Sequence, residues 1–282
     1  MKFLRYGEPG EEKPGLLDKN GRVRDLSNKI KDLSGDVLSP SRLAALCQID
    51  TESLPIVEGA IRYGPPVGDV GKIIAVGLNY ADHASETGNP IPSEPVLFSK
   101  SITALSGPND DVVLPKDSKK GDWEVELAII VGEKAKYIQE TDAGNYIAGF
   151  AVANDVSERA FQIERGGQWI KGKSFDSSCP LGPWLVTKEE VGDTQNLGIW
   201  LEINGKRFQN GNTRTMIFNV NYIMSYISCF MTLMPGDVII TGTPPGVGLG
   251  QNPPVFLKDG DKMRLGIEGL GEQSQSVISY SD

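Results

Sequence analysis

The sequence is poor in histidine and cysteine, with one histidine and three cysteines among 282 residues. Cys47, Cys179 and Cys229 are odd in number, lie far apart and show no metal-ligand spacing, so we interpret them as free thiols in a reducing compartment and predict a cytoplasmic protein. There is no GxSxG elbow for a serine nucleophile, and the lone His83 leaves no second histidine for a cysteine nucleophile. Hydrolysis by this chain would therefore proceed through activated water.

Basic residues are outnumbered by acidic ones, with 28 Lys and Arg against 37 Asp and Glu, so the formal net charge is -9. The isoelectric point is near 4.8. This balance argues against a nucleic-acid partner, since such binding depends on clustered Lys and Arg, and an anionic substrate would need a local cationic site. The longest mostly apolar run, residues 222–234, is shorter than the roughly 20 residues of a membrane span, so we predict a buried helix there and no membrane partner. Residues 1–15 lack the apolar segment of a secretory signal, so no export is expected.

Glycine and proline are abundant, with 33 and 18 copies, and this abundance favours a strand-rich α+β fold. Residues 1–65 alternate short strand patterns with one helical pattern that Ser39 or Ser41 could cap, which predicts a small α+β N-terminal domain. A segment rich in proline and glycine, 63–72, marks the domain boundary. Residues 72–282 are then expected to form a larger, mixed β domain.

Two carboxylates occur in the predicted strand GDWEVELAIIVG, residues 121–132. Alternate residues of a strand share a face, so Glu124 and Glu126 project together and repel unless a positive charge lies between them. A divalent cation would remove this conflict. The alternative is a solvent-facing strand edge with two hydrated glutamates.

A third acid, Asp155, ends an apolar strand pattern, where functional residues often emerge into loops. Alternatively, Asp155 or Ser157 caps a helix that starts near Glu158. Three carboxylates without cysteine or additional histidine ligands would suit a hard cation, Mg²⁺ or Mn²⁺, and disfavour zinc.

Several basic and amide side chains could bind an anionic substrate beside such a metal. Arg159 and Gln162 lie three residues apart, hence on one helix face, although an ordinary solvated face has the same spacing. Lys100, Lys171 and Lys173 lie near turn-rich segments, where a lysine can reach an oxyanion, or simply decorate the surface.

The stretch IITGTPPGVGLGQNPP, residues 239–254, contains GxGxG, but its prolines stand where a dinucleotide site needs a helix, so we reject that site. Thr241, Thr243 and the backbone N–H groups of this turn could instead cup a carboxylate, or the stretch is a plain tight loop.

The single histidine lies three residues before Glu86, so on a helix the two side chains could form a dyad that activates water. A packed structural ring is the alternative for His83. The polar, proline-rich sequence that follows is typical of a surface loop and favours the catalytic role.

Seven segments in this order resemble the fumarylacetoacetate hydrolase superfamily: GLNYADHASE, PVLFSKS, WEVELAIIVG, ANDVSERAFQ, GKSFDSSCPLGPWLVT, NGKRFQNGNTRTMIF and FMTLMPGDVIITGTPPGVG. The resemblance implies a mixed β-roll catalytic domain and a homodimer or dimer-based oligomer. It implies that Glu124, Glu126 and Asp155 are metal ligands and that His83 and Glu86 form a dyad on a closing segment. It also implies that Lys173 lies near the metal. The implied substrate contacts are Lys100, Arg159, Gln162 and Thr243. Ser178 departs from the family, because relatives often carry an aromatic residue there.

The segments NGNTRTMIFNV, GTPPGVGLGQNPP and LGIEGLGEQ resemble family members that act on 2,4-diketo-3-deoxy sugar acids. The resemblance therefore implies hydrolysis of a small anionic 2-oxo acid, 2,4-diketo-3-deoxy-L-rhamnonate or L-fuconate, to pyruvate and lactate. The alternatives are an oxaloacetate decarboxylase, a 2-hydroxyhepta-2,4-diene-1,7-dioate isomerase or ureidoglycolate lyase, and a metal-dependent binding protein without turnover.

Overall fold

The computed structural model describes residues 1–82 and 90–281. The strands are β1 (Lys2–Tyr6), β2 (Lys13–Leu17), β3 (Val23–Asp25), β4 (Tyr63–Gly64), β5 (Ile73–Gly77), β6 (Val96–Lys100), β7 (Leu105–Ser106), β8 (Val112–Leu114), β9 (Gly121–Asp122), β10 (Val125–Val131), β11 (Ile147–Asn154), β12 (Ser157–Glu158), β13 (Cys179–Thr187), β14 (Gly198–Ile203), β15 (Lys206–Asn212), β16 (Val238–Ile240), β17 (Lys262–Ile267) and β18 (Gly271–Ser279). The α-helices are α1 (Pro40–Leu46), α2 (Arg159–Ile163), α3 (Ile170–Lys173), α4 (Lys188–Val191) and α5 (Val220–Phe230). Short 3₁₀ helices span Gly35–Leu38, Thr51–Ser53, Ile102–Ala104, Glu140–Tyr146 and Thr213–Thr215.

Within these residues the strands form one large mixed sheet and two smaller ones. The large sheet has 11 strands in the order β3-β2-β1-β13-β11-β10-β16-β5-β6, with β4 paired to β1 and β7 paired to β13. A 5-stranded sheet runs β15-β14-β17-β18-β8, and β12 pairs with β9. Mixed sheets with few helices agree with the predicted α+β class.

The N-terminal segment contains the predicted strands and helix, and its strands join the large sheet. Strand β1 pairs with β13 at Lys2↔Val186 and Phe3↔Leu185. Ser39, rather than Ser41, caps α1, because its side chain accepts a hydrogen bond from Arg42 N. One sheet therefore contains strands from both sides of the expected boundary. The division into two domains, residues 1–65 and 72–282, stays a prediction.

Strands β10 and β11 are buried on both faces, which explains their nearly continuous apolar sequences. One face of β10 carries Leu127 and Ile129 into a core shared with the 5-stranded sheet. The other face carries Ala128 and Ile130 into a core shared with the N-terminal segment. Since alternate residues share a face, Glu126 continues the Ala128 face.

Helix α5 differs from the expected buried helix over residues 222–234. It ends at Phe230 and buries one face only, through Ile223, Met224 and Ile227. Phe230 is 61% exposed, because α5 packs at the surface against the Glu140–Tyr146 helix. No helix within residues 1–82 and 90–281 has the length and apolarity needed to cross a membrane.

Candidate active site

Three acids meet where β10 begins and β11 ends. Glu124 precedes β10, Glu126 lies within it, and Asp155 follows β11. The antiparallel register places Val125 opposite Asn154, and Asp155 N donates to Glu124 O at 2.8 Å. One oxygen from each carboxylate lies within 4.8 Å of the others, and all three residues are buried. The glutamates are therefore not on a solvent-facing edge.

Three buried cations surround these acids. Lys173 Nζ donates to Glu124 Oε2 at 2.9 Å and to Asp155 Oδ2 at 2.6 Å. Lys100 Nζ donates to Asp155 Oδ1 at 2.6 Å, and Arg159 Nη2 donates to Glu124 Oε1 at 2.6 Å. Charge-assisted hydrogen bonds of this kind hold both acids in fixed orientations.

The two glutamates have opposite pKa shifts. Burial alone would raise the pKa of Glu124, but Lys173 and Arg159 lower it to about 2. Burial raises the pKa of Glu126 well above its ordinary value, and the negative charges of Asp155 and Glu124 raise it further. Burial would lower the pKa of Lys173, whereas Asp155 and Glu124 raise it, so the lysine stays charged.

Glu126 accepts one hydrogen bond from the described residues. Its Oε2 accepts a hydrogen bond from Gly242 N at 2.7 Å. Its Oε1 has no hydrogen-bond donor within the described part of the chain. Four buried carboxylates, those of the three acids and of Asp122, also outnumber the three cations. Hard oxygen donors and a negative excess fit a divalent cation.

Glu124 and Glu126 line a cavity of about 530 Å³, and we call its buried end the base. Asp155 adjoins these two acids but does not itself line the cavity. The polar lining residues Arg159, Gln162 and Lys173 are buried there beside Glu124 and Glu126. The more exposed lining includes the large apolar residues Phe98, Ile163, Trp169 and Leu249, and we call this part the mouth. A buried polar base under an apolar mouth is typical of a small-molecule site.

Arg159 is held by three side chains. Its Nε donates to Asp122 Oδ2 at 2.8 Å, and its Nη1 donates to Gln162 Oε1 at 3.0 Å, beyond the bond to Glu124. Asp122 also accepts from Leu249 N at 3.0 Å, which ties the cavity mouth to the arginine. The planar guanidinium is therefore fixed at the base of the cavity.

Residues 72–278 match the family described as fumarylacetoacetate (FAA) hydrolase, C-terminal. The chain belongs to the fumarylacetoacetate hydrolase family. It is 60% identical over 278 residues to a Burkholderia cenocepacia protein described only as a presumed hydrolase, and the match covers 98% of this chain and 99% of that one.

Two solved structures show the same fold at full length. A fumarylacetoacetate hydrolase from Exiguobacterium antarcticum is 33% identical with a TM-score of 0.88, covering 99% of this chain and 100% of that one. A maleylpyruvate hydrolase from Sphingobium is 29% identical with a TM-score of 0.82, again covering 99% and 100%. Other structures with this fold are named as 2-hydroxyhepta-2,4-diene-1,7-dioate isomerases of mycobacteria.

Not every residue predicted for the site lies at the base of the cavity. His83 and Glu86 fall outside the described residues, so their roles stay predictions. Lys171 lies at the exposed surface, where its Nζ donates to Arg165 O at 2.8 Å. Lys100 is buried against Asp155 and does not line the cavity.

The hydroxyl groups of Thr241, Thr243 and Ser178 all donate hydrogen bonds to backbone carbonyl oxygens. Thr241 and Thr243 donate their hydroxyls to Leu127 O at 2.9 Å and to Val125 O at 2.8 Å. Only Thr243 lines the cavity. Ser178 donates to Lys173 O at 3.1 Å, so it supports the backbone of the buried lysine.

The alternative in which Asp155 or Ser157 caps the helix is wrong. Glu158 caps α2, because its carboxylate accepts from Ala160 N at 3.0 Å. The same carboxylate accepts from Lys120 N at 3.0 Å. Asp155 is therefore free of a capping role and turns toward the other acids.

Gln209 and Asn154 support the acid cluster and were not predicted. Gln209 Oε1 accepts from Val125 N at 3.0 Å, and its Nε2 donates to Thr243 Oγ1 at 2.7 Å. Asn154 Oδ1 accepts from Glu124 N at 3.3 Å. Gln209 comes from β15 in the smaller sheet, so no local spacing could have indicated it.

Proposed function

We propose that this member of the fumarylacetoacetate hydrolase family is a metal-dependent hydrolase that cleaves a carbon–carbon bond of an acylpyruvate. The observation that carries the proposal is the buried cluster of Glu124, Glu126 and Asp155, of which the two glutamates line a cavity. Similarity to proteins named as hydrolases, one acting on maleylpyruvate, supports this reaction class.

The three acids would hold Mg²⁺ or Mn²⁺, because hard cations of this size prefer carboxylate oxygens. A cation held there supplies a Lewis acid for the carboxylate and 2-oxo oxygens of the substrate. Lys173 keeps Glu124 and Asp155 in place, and Lys100 fixes the other oxygen of Asp155. We therefore assign Lys100 to positioning a ligand, rather than to the substrate contact that the resemblance implied.

Arg159, Gln162 and Thr243 would orient the substrate. Gln162 Oε1 is taken by Arg159, so its amide Nε2 is the group left to donate a hydrogen bond to a substrate oxygen. Thr243 has given its hydroxyl hydrogen to Val125 O and can only accept. The fixed guanidinium of Arg159 faces the same cavity and adds positive charge beside the acids.

His83, oriented by Glu86, would take a proton from water as the oxygen attacks the C4 carbonyl. The resulting tetrahedral alkoxide collapses, the bond between C3 and C4 breaks, and its electron pair forms the enolate of pyruvate. The other fragment leaves as a carboxylic acid. A proton delivered to C3 of the enolate then completes pyruvate.

The substrates we propose first are 2,4-diketo-3-deoxy-L-rhamnonate and L-fuconate, which would give pyruvate and lactate. Purified protein should release pyruvate from one of them, or from acetylpyruvate, in the presence of Mg²⁺ or Mn²⁺, and EDTA should abolish the release. Pyruvate can be followed with a coupled lactate dehydrogenase assay. Absence of pyruvate from all three substrates would contradict the proposal.

Two parallel assays separate the competing activities. Oxaloacetate tests decarboxylation, which needs no attacking water, so His83→Ala should spare it while lowering hydrolysis about 100- to 10,000-fold. A 2-hydroxy-dienedioate tests isomerisation by its change in ultraviolet absorbance without pyruvate release. The mass of the protein in solution tests the predicted homodimer.

A further inference from the structure

The mouth of the active-site cavity is more apolar than hydrolysis of a small hydroxylated acid requires. Ile163 is 52% exposed and Leu249 is 37% exposed, and both line the cavity. Phe98 and Trp169 form the neighbouring wall, with ring centroids 5.3 Å apart at 64°. We call these four residues the outer chamber. Large apolar side chains that converge at a cavity mouth mark a surface that a ligand covers.

The cationic residues of the cavity are already committed. Arg159 donates to Asp122, Glu124 and Gln162, and Lys173 donates to Glu124 and Asp155. Among the described residues that line the cavity, no third lysine or arginine faces the outer chamber. A second carboxylate on the far end of a substrate would lose its hydration there without gaining a cationic partner from the described lining.

Donors for sugar hydroxyls are scarce as well. Within the described lining, the side-chain donors left for a substrate are Gln162 Nε2 at the buried base and the single indole N–H of Trp169 in the outer chamber. The cavity volume of about 530 Å³ is in the range of sites that bind drug-sized ligands. Acetylpyruvate is only a few atoms longer than pyruvate, so it would leave the outer chamber empty.

We propose that the outer chamber binds a neutral, apolar acyl group, so that the substrates turned over best are acylpyruvates with a medium-length alkyl or an aryl chain. The pyruvate end lies at the acids and Arg159, and the acyl chain lies against Phe98, Trp169, Ile163 and Leu249. This assignment rests on the reaction of the proposed function, but it replaces the hydroxylated sugar acids named there with an apolar acyl chain. It also distinguishes the chain from relatives whose named substrates carry a second carboxylate.

A chain-length series tests the assignment. The holoenzyme with Mn²⁺ is given acetyl-, butanoyl-, hexanoyl- and benzoylpyruvate, with fumarylpyruvate as the dicarboxylate, and kcat/KM is measured for pyruvate release. We expect a rise of about fourfold per added methylene up to hexanoylpyruvate, since each buried methylene contributes a similar factor. Fumarylpyruvate should rank below hexanoylpyruvate.

The outcomes separate the two proposals. Hydrolysis of acetylpyruvate with no gain along the series, or with fumarylpyruvate as the best substrate, overturns the apolar chamber and leaves the hydrolase intact. If no acylpyruvate is hydrolysed, both the hydrolase proposal and the apolar-chamber proposal are overturned.

Substitutions at the mouth give a second test. Ile163→Ser and Leu249→Ser should each lower the ratio of kcat/KM for hexanoylpyruvate over acetylpyruvate by about threefold or more. Ile278→Ser is the matched control, because Ile278 is 37% exposed and belongs to β18, away from the cavity. An unchanged ratio in both mouth variants, or an equal fall in the control, overturns the assignment.

Discussion

Asp122 binds Arg159 through a buried hydrogen bond of 2.8 Å between Oδ2 and Nε. Asp122 is itself fixed, because it accepts from the backbone N–H groups of Gly248 at 2.6 Å and Leu249 at 3.0 Å. The pair therefore joins β9 and α2 to the turn that lines the cavity mouth. This arrangement holds the guanidinium in the plane needed to reach Glu124.

Replacing Asp122 with asparagine should lower kcat/KM for the best acylpyruvate about 10- to 100-fold. The amide keeps the shape but removes the charge that orients Arg159, and loss of such an outer partner typically has this effect on activity. The loss should fall mainly on kcat, and circular dichroism should stay near that of the parent. The urea midpoint should fall somewhat, because the buried NH2 group of asparagine would face N–H donors. Glu272→Gln, an exposed acid paired with Arg264, is the control. Unchanged kcat/KM in a folded Asp122→Asn protein would contradict this role.

Replacing Glu126 with glutamine should weaken Mn²⁺ binding by more than about 100-fold. Loss of a residue that only hydrogen-bonds to a metal ligand typically weakens binding about 10- to 100-fold, and loss of a ligand should have a larger effect. Glu126 is the acid whose Oε1 has no protein donor within the described residues, so its substitution removes a ligand without freeing a buried lysine. Titration calorimetry or the signal of free Mn²⁺ in electron paramagnetic resonance measures the affinity. Glu133→Gln, an exposed acid outside the cluster, should bind as the parent does. Equal affinity in Glu126→Gln would remove Glu126 from the metal site.

The sequence predicted the acids of the site better than their supports. Alternation along the predicted strand 121–132 was enough to predict Glu124 and Glu126 on one face, and the same alternation includes Asp122. The adjacent end of β11 then explains Asp155. The convergence of these acids with Lys173 could not be derived from spacing, because it depends on how α3 packs beside two strands.

Contacts across long stretches of sequence remained beyond prediction. Gln209 lies 84 positions from Val125, to which it is hydrogen-bonded, and it comes from a different sheet. The strands of residues 1–65 were predicted as elements, but their pairing with β13 depends on the register of distant strands. The apolar pattern of 222–234 correctly predicted a helix but did not predict its exposed face. Tyr222 and Tyr226 are half-buried and Phe230 is exposed, although all three are large aromatic residues.

The three cysteines should differ in reactivity. Burial raises the pKa of Cys179 to about 12 and also raises the pKa of the half-buried Cys47, whereas Cys229 is exposed on α5. Because the thiolate is the reactive form, raising the pKa lowers the reactive fraction at pH 8. We expect one fast thiol with a disulfide reagent in the native protein and three in guanidinium chloride. Cys229→Ser should remove the fast phase, and a fast reaction that persists in this variant would contradict the assignment.

Gly172 is a position beside the site that leaves no room for a side chain. A Cβ at this residue would lie 2.4 Å from both Gln162 N and Glu158 O, which are backbone atoms of α2 and its cap. Backbone atoms cannot rotate away, so Gly172→Ala should lower the free energy of unfolding by about 1–3 kcal/mol, the usual effect of overpacking.

The same substitution should also lower activity, because α3 carries Lys173 and α2 carries Arg159 and Gln162. Separating the two helices would lengthen the contacts that fix the acids at the base of the cavity. Urea unfolding and kcat for acetylpyruvate measure the two effects. Gly144→Ala is the matched control, since the nearest atom to its added Cβ is Lys188 Nζ at 3.8 Å. Gly172→Ala that is as stable and as active as Gly144→Ala would show that α2 and α3 can separate without disturbing the site.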